Sequence, residues 1–325
     1  MIKYLVLIPL LLLALTPPQP FQVPMIANSF LWLWLVLISG FLGVFYIFTK
    51  ADIILKILSV YLFISCFFSK APAISFSAYF SVIACLYYYL LCLKLKDWSW
   101  VYKSILGVLF LNIIFMLAQF MRTDTVLNFA QVDPIRFGTI GNGMQLKSFI
   151  IVLSAFIISY KKFSFIKKYL KQIIVGAVIF CVFYLFWHKV IPAFLYARGP
   201  VWLYTLKLSL KEPIFGYGIG TYKALFPALS HYSVAGTEGI WMTAHNCLAQ
   251  IIFEAGYIGA GLVVAFFGKT FYRVIKQRNL YLTIGMSLLT FTLMVHFPDR
   301  MIEAVLIIVA YLAFVNKEIN NVSRI

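Results

Sequence analysis

The residue best suited to acid–base chemistry in this chain is His245, which is followed by Asn246. An unperturbed imidazole has a pKa of about 6.5, so it can take a proton from a hydroxyl group near neutral pH. The Asn246 amide can fix the orientation of that ring or bind a hydroxyl of a substrate. A lone histidine also serves as a polar anchor at the end of a helix, and this alternative stays open.

Arginines provide the second kind of chemistry. Arg122 and Arg136 fall in the polar stretch 122–143, and Arg198 falls near the start of a longer polar stretch, 192–247. The planar guanidinium binds phosphate through two N–H donors at once, whereas lysine acts as a point charge. These residues therefore predict an anionic, phosphate-bearing ligand.

A short element is expected directly after Arg198. Gly199-Pro200 suits the first turn of a helix, which predicts one short helix over Val201 to Glu212. The alternation of apolar and polar residues over Thr205 to Lys211 would also fit a strand. Trp202 and Lys211 on this element are candidate substrate-binding residues.

Glycines are concentrated in two runs, Gly138 to Gly143 and Gly216 to Gly220. Neither run has the Gly-Lys-Ser/Thr ending of a phosphate loop, and the second lacks a Rossmann context. The first is predicted as a turn before a helix, with Asn142 as a supporting residue, and a close approach to a ligand is its alternative. The second is predicted as a tight re-entrant turn.

Acidic residues are few, and Glu254 is notable because it stands inside an apolar run. A carboxylate at membrane depth is costly and tends to be functional or paired. A structural partnership with a loop backbone is the favoured interpretation, with a functional role as the alternative. No metal is predicted, because the acidic residues and histidines lack ligand spacing and the five cysteines stand singly.

The elements that must position these groups are long apolar runs. The chain is 63% apolar with a mean hydropathy of +0.95, which excludes an ordinary soluble domain. We predict an all-α, polytopic transmembrane bundle of about ten spans, forming a single integral membrane domain over residues 1–325 with short helices in its long loop. The ten runs are Tyr4 to Thr16, Ile26 to Phe48, Ile53 to Phe68, Ala73 to Leu93, Val101 to Met121, Met144 to Tyr160, Gln172 to Ile191, Leu248 to Gly268, Leu280 to Met294 and Ile302 to Val315.

Charge then predicts the orientation of the bundle. If the amino terminus is cytoplasmic, 17 of the 27 basic residues lie in inner connections, as the positive-inside rule requires. Both termini are thus predicted inside, and stretches 122–143 and 192–247 outside. Orientation and attraction to the lipid bilayer account for the net charge of +17, so nucleic acid need not be a partner.

The motifs of the second polar stretch occur in a familiar order. Arg198 and Trp202 come first, then Glu212-Pro213-Ile214-Phe215-Gly216-Tyr217-Gly218-Ile219-Gly220, then Ala244-His245-Asn246, and finally Glu254-Ala255-Gly256-Tyr257-Ile258-Gly259. This series resembles the O-antigen ligase and polymerase family of bacterial membrane glycosyltransferases. The resemblance covers about Arg198 to Gly261.

The resemblance implies a GT-C-like enzyme of the bacterial inner membrane with a periplasmic active site. It would transfer a glycan from undecaprenyl diphosphate to an acceptor hydroxyl, without nucleotide sugar, metal or other cofactor. His245 would activate the acceptor, while Arg198 and Arg136 would hold the diphosphate and stabilise the leaving group. Arg122, Trp202, Lys211 and Asn246 are further predicted substrate contacts, and Glu254 and Asn142 are predicted supports.

The acceptor is left open by the sequence. A ligase would join O-antigen to lipid A-core, a polymerase would add repeat units to the same carrier, and a protein O-glycosylating enzyme would use a protein hydroxyl. A transporter is the alternative from another class, with Glu254, Glu303 and the outer basic residues on an ion or anion pathway.

Overall fold

The computed structural model describes residues 42–107, 110, 143–160, 198–230, 243–295 and 302–322. Every regular element within these ranges is a helix, so the all-α prediction is confirmed for this part of the chain. Residues 42–50 and 99–107 are helical. The longer elements are α1 Ile53–Phe67, α2 Pro72–Leu93, α3 Gly143–Ser159, α4 Gly199–Ser209, α5 Tyr222–Ser230, α6 Cys247–Lys276, α7 Leu280–Val295 and α8 Ile302–Val322.

Several helices begin and end close to the predicted apolar runs. This holds for α1, α2, α3 and α7, because their ends coincide with polar or turn-forming residues. Helix α8 continues to Val322, past the predicted end at Val315. The predicted runs Tyr4 to Thr16 and Gln172 to Ile191 lie outside the described residues.

The sequence predicts one uninterrupted span where α6 lies, and the structure differs from this prediction. Its backbone breaks at Gly256, where φ is 68° and ψ is −179°. This conformation belongs almost only to glycine, since a Cβ would clash with the backbone. The element therefore consists of a short helix before Gly256 and a longer helix after it.

Two of the helices in the described part of the chain, α2 and α6, are long and apolar enough to cross a bilayer. Helix α1 is shorter, but it carries an exposed apolar stripe along its length. The stripe consists of Ile53, Ile57, Val60, Ile64 and Phe67, which are between 40% and 64% exposed. A helix with apolar side chains both inside and outside its bundle is suited to a lipid environment.

In the part of the chain that the structure describes, buried side chains form two clusters. The larger one joins α1, α2, α3, α6, α7 and α8 with residues 98–105. The smaller one consists of Val201, Leu208, Tyr217, Tyr222, Phe226, Ala244, Ala249 and Phe253. The second polar stretch thus packs around its own aromatic core, on the first turns of α6.

Ion pairs mark the two opposite ends of α1. At its start, the Lys269 ammonium lies 2.5 Å from the Asp52 carboxylate. Beyond its end, the Lys70 ammonium lies 2.7 Å from the Glu212 carboxylate. The Lys269 end of α6 and residue 212 of the second polar stretch therefore lie at opposite ends of the bundle.

Asp52 stabilises the start of α1 through two interactions. Its side chain caps α1 by accepting from the Ile54 N–H at 3.0 Å, and it also pairs with Lys269. Partial burial alone would raise the pKa of Asp52. The hydrogen bonds from Lys269 and the Ile54 N–H and the charges of Lys269 and Arg273 outweigh that effect, so the pKa falls below its ordinary value of 3.8.

We expect Asp52→Ala to destabilise the protein by about 1 kcal/mol at pH 7, because both the cap and the pair are lost. Asp52→Asn should cost less, since asparagine keeps the capping acceptor. The lowered pKa means that the stabilisation is present above pH 3.8 and is lost as pH falls through the folded-state pKa. Melting temperatures of the three proteins in detergent should therefore differ at pH 7 and converge in strong acid.

Candidate functional site

Arg198 lies directly before α4 and is almost fully buried, with 7% of its surface exposed. Pro200 lies in the first turn of α4. Backbone N–H groups in a first turn have no partner within the helix, so the N–H that proline lacks costs no helical hydrogen bond. Burial lowers the pKa of Arg198 from its ordinary value, because a low dielectric disfavours the charged form. Arginine still stays protonated near neutral pH, and a desolvated cation attracts an anion more strongly than one in water.

Helix α4 is fixed in place by its buried face. Val201 and Leu208 belong to the smaller core, and the Thr205 hydroxyl lies 2.9 Å from the Tyr222 hydroxyl. The helix ends at Ser209, before the predicted end at Glu212, because a turn begins there. The predicted helix is thereby confirmed, and the alternative of a strand is wrong.

Trp202 connects this helix to the residue before His245. Its indole N–H donates to the Ala244 carbonyl at 2.6 Å. Since Trp202 follows Arg198 by about one helical turn, the start of α4 and the start of α6 lie side by side. Arg198 and His245 therefore share one corner of the structure.

His245 occupies an unusual backbone conformation, with φ at 52°. Few residues other than glycine adopt positive φ, and in ordered structures they are held there by their surroundings. The side chain is half-buried, and its Nδ1 is shielded from solvent. Asn246 then begins α6 as its cap, because its side-chain oxygen accepts from the Ala249 N–H at 2.9 Å.

The glycine run after α4 forms a tight turn, as predicted. Gly216, Gly218 and Gly220 have φ values of 69°, 111° and 76°. A Cβ on Gly218 would lie 2.0 Å from the Ser69 Oγ and 2.4 Å from the Ser75 Oγ. Glycine is thus required both by the backbone conformation and by the close packing on the start of α2.

This turn supplies the hydrogen bonds that the break in α6 leaves open. In an unbroken helix the Tyr257 N–H would donate to the Phe253 carbonyl. Here the Tyr257 N–H donates to the Pro213 carbonyl at 2.9 Å, and the Phe253 carbonyl accepts from the Tyr217 N–H at 2.8 Å. The loop and the broken helix therefore satisfy each other's backbone, as a buried break requires.

Glu254 belongs to the same arrangement. Its carboxylate accepts from the Gly220 N–H at 2.9 Å and from the Tyr222 N–H at 3.2 Å. Its own carbonyl accepts from the Gly218 N–H at 2.9 Å. This is the geometry of a structural partner to the loop backbone, the role that the sequence analysis favoured.

Lys211 lies away from the corner that Arg198 and His245 share. It is exposed just beyond the end of α4, whose 11 residues give a length of about 16 Å. Its neighbour Glu212 forms the ion pair with Lys70, and the hydrogen bond from Lys70 to Glu212 raises the pKa of Lys70. The structure thus places Lys211 at the opposite end of α4 from Arg198.

The predicted site residues that the structure describes fall into three groups. Arg198, Trp202, His245 and Asn246 come together where α4 and α6 begin, Glu254 supports them, and Lys211 lies apart. Arg122, Arg136 and Asn142 lie outside the described residues. In the part of the chain that the structure describes, no cluster of three or more histidine, cysteine or acidic side chains suits a metal ion.

Two residues in this region were missed by the sequence analysis. Gln250 joins the Ala244 backbone to Glu254, and Gly256 makes the break in α6. A glutamine four residues before a glutamate in an apolar run was a usable signal, because the two share a helix face. Gly256 was less visible, since glycine is common in apolar helices.

Chemically, the corner combines a buried guanidinium with a partly exposed imidazole at the starts of two helices. The helix starts add partial positive charge to that of Arg198. Such a site can hold a phosphate-bearing group while the imidazole accepts a proton from a neighbouring hydroxyl. No protein-family model matches the chain, and no curated protein matches it.

Proposed function

We propose that the chain is a membrane glycosyltransferase of the O-antigen ligase type. It moves a glycan from undecaprenyl diphosphate to a hydroxyl of lipid A-core on the periplasmic face of the bacterial inner membrane. The observation that carries the proposal is the hydrogen bond from Trp202 to Ala244, because it joins the start of α4, where Arg198 lies buried, to the residue before His245. A phosphate-binding cation and a proton acceptor in the same region are what such a transfer needs.

The membrane part of the proposal is a polytopic bundle of about ten spans with both termini in the cytoplasm. Support comes from the two helices of spanning length and from the exposed apolar stripe of α1. Further support comes from the two ion pairs, because Lys269 belongs to the predicted inner charges and Glu212 to the outer stretch. The active corner then belongs to the same outer stretch of the chain as Glu212.

In the proposed reaction, His245 accepts the proton of the acceptor hydroxyl as its oxygen attacks the anomeric carbon of the glycan. A new glycosidic C–O bond forms, and the C–O bond to the carrier diphosphate breaks. The electron pair of that bond stays on the diphosphate, where Arg198 meets the growing charge, and the proton leaves His245 for solvent. Fixed cations at a developing charge are among the strongest catalytic devices in enzymes. Arg136 and Arg122 are proposed as further diphosphate ligands.

The test is a transfer assay with the purified protein. A lipid-diphosphate glycan is supplied with lipid A-core or with a second lipid-linked repeat unit, and the products are separated. Product with lipid A-core supports the ligase, whereas lengthened carrier-bound glycan replaces it with the polymerase. Transfer to neither, together with ion or anion flux in liposomes, would overturn the enzyme and favour a transporter.

Arg198 should be sensitive to the shape of its side chain as well as to its charge. We expect Arg198→Ala to lower the transfer rate by about 10²- to 10³-fold, as for the loss of one oxyanion-stabilising group. Arg198→Lys should recover only part of the rate, because lysine lacks the planar fork. The control is Lys207→Ala on the exposed face of the same helix, which should transfer normally. Equal losses in both alanine variants would count against a specific role for Arg198.

A further inference from the structure

Ala244, the residue before His245, is held at both of its backbone polar groups. Its carbonyl accepts from the Trp202 indole, and its N–H donates to the Gln250 side-chain oxygen at 3.3 Å. Ala244 is fully buried and Gln250 is 3% exposed. Water is therefore excluded from Gln250, and its bonds are made in a low dielectric, where they are strong and costly to lose.

Gln250 is in turn anchored from its other side. Its side-chain N–H donates to the Glu254 carboxylate at 3.2 Å, and that carboxylate accepts from the N–H groups of Gly220 and Tyr222. A continuous chain of hydrogen bonds thus runs from the glycine turn through Glu254 and Gln250 to Ala244. The chain ends one residue before the proposed base.

His245 needs such a restraint because of its backbone. The left-handed conformation at φ 52° is rarely populated by residues with a side chain, so it persists only where the flanking peptides are fixed. Asn246 fixes the peptides on one side by capping α6. On the other side, the indole of Trp202 fixes the peptide that joins Ala244 to His245, and the side chain of Gln250 fixes the preceding peptide through the Ala244 N–H.

We infer that Gln250 is a positioning residue, which sets the direction of the His245 imidazole by holding the Ala244 N–H and by connecting it to Glu254. This inference rests on the proposed function for its catalytic consequence, but the placement of His245 is independent of it. Misplacement of a reacting group by about 1 Å can cost about 100-fold in rate. Loss of Gln250 should therefore lower kcat and leave the binding of the donor intact.

The experiment compares Gln250→Met, which keeps the length of the side chain and loses its hydrogen bonds, with Gln277→Met. Gln277 is the matched control, because it lies at the far end of α6 and donates to the Ile319 carbonyl at 2.8 Å. A third protein carries both Gln250→Glu and Glu254→Gln. This exchange keeps an acceptor for the Ala244 N–H and a donor between the two side chains.

Two readouts are taken on the full-length protein in detergent. The first is kcat and donor KM for glycan transfer. The second is the rate at which diethyl pyrocarbonate modifies His245, resolved by peptide mass spectrometry from the other three histidines of the chain. The second readout needs no substrate and reports only on the surroundings of the imidazole.

For Gln250→Met we expect kcat to fall by about tenfold or more, with KM within about twofold of the wild type. The modification rate of His245 should change by at least about threefold while those of the other histidines stay constant. The exchange variant should restore only part of both values, because Glu254→Gln leaves one acceptor oxygen for the N–H groups of Gly220 and Tyr222, and Gln277→Met should match the wild type.

An unchanged modification rate of His245 in Gln250→Met would overturn the inference, whatever the activity. The inference would also be overturned if the exchange variant and Gln277→Met lost as much kcat as Gln250→Met, because that pattern indicates general destabilisation. A wild-type protein that transfers no glycan would remove the proposed function alone. The modification rates would then still decide whether Gln250 positions His245.

Discussion

Replacement of His245 by alanine is expected to lower glycan transfer by about 10²- to 10⁴-fold, the range for loss of a general base. The proposed acceptor is a hydroxyl group, which is a weak nucleophile until its proton is removed. His245 is half-buried and follows Ala244, which Trp202 ties to the start of α4, so the same corner would hold both the leaving diphosphate and the proton acceptor. Transfer rates of the purified variant and the wild type give the ratio directly.

A base and a mere anchor for the acceptor can be distinguished with free imidazole. If His245 accepts the proton, added imidazole should restore part of the activity of His245→Ala, because the small base fits where the ring was removed. His245→Gln keeps a polar group for hydrogen bonding but cannot accept the proton, so it should stay inactive. Substantial activity in His245→Gln would show that the residue orients the acceptor without acting as a base.

The fold followed from the sequence where apolar runs had clear ends. Helix α1 begins after Asp52, which supplies a capping acceptor, and α2 begins at Pro72, which suits a first helical turn. Both signals are local, because each depends on residues within one turn of the helix start. Such local signals are the part of a fold that a single sequence can display.

The break in α6 could not be found in the same way. Hydropathy averaged over a window is insensitive to one glycine, and Gly256 stands among apolar residues on both sides. The backbone groups of Phe253 and Tyr257 on its two sides bond to Tyr217 and Pro213, about forty residues earlier in the chain. Only tertiary contacts of that range decide that the helix stops there.

The candidate site shows the same difference between features visible in the sequence and features that depend on tertiary contacts. Arg198 and His245 were singled out by residue type and by the order of motifs, both of which are visible in the sequence. The left-handed backbone of His245 and its support by Gln250 were not visible, because they depend on how the loop packs against α6. Chemistry was therefore easier to predict than the positioning of the groups that perform it.

The break in α6 predicts a large effect on folding. Gly256→Ala is expected to prevent the loop that contains Pro213 and Ile214 from packing on α6. A Cβ at this position would lie 1.9 Å from the Ile214 carbonyl oxygen and 2.8 Å from the Pro213 carbonyl oxygen. Both obstacles are backbone atoms, so no side-chain rotation relieves the clash.

The conformation of Gly256 adds to this cost. Its φ of 68° with ψ near 180° is almost exclusive to glycine, and other residues there are strained by about 1 to 3 kcal/mol. If α6 straightened to avoid the strain, the Pro213 carbonyl would lose the Tyr257 N–H, and the Tyr61 hydroxyl would lose its position against the carbonyls of Ala255 and Ile214. Ala255 is buried, and a buried polar group left without a partner costs about 1 to 3 kcal/mol.

The strain of a broken helix and the lost bonds of a straightened one are alternative outcomes, and either is a large fraction of the stability of a typical domain, about 5 to 15 kcal/mol. Gly256→Ala should therefore accumulate poorly or melt far below the wild type, as measured by yield and by thermal unfolding in detergent. Gly261→Ala is the matched control on the same helix, since a Cβ there meets nothing within 4 Å. It should be neutral or gain up to about 1 kcal/mol from the higher helix propensity of alanine.

A graded variant separates the loop contact from the strain at Gly256. Tyr61→Phe removes only the hydroxyl that donates to the Ala255 carbonyl at 2.7 Å, and it leaves the backbone of α6 untouched. Its melting temperature should fall between those of Gly261→Ala and Gly256→Ala, and the loop should become more susceptible to protease near Ile214. Wild-type melting in both Gly256→Ala and Tyr61→Phe would mean that α6 folds without the loop, and the coupling between the glycine turn and the helix that follows His245 would then be absent.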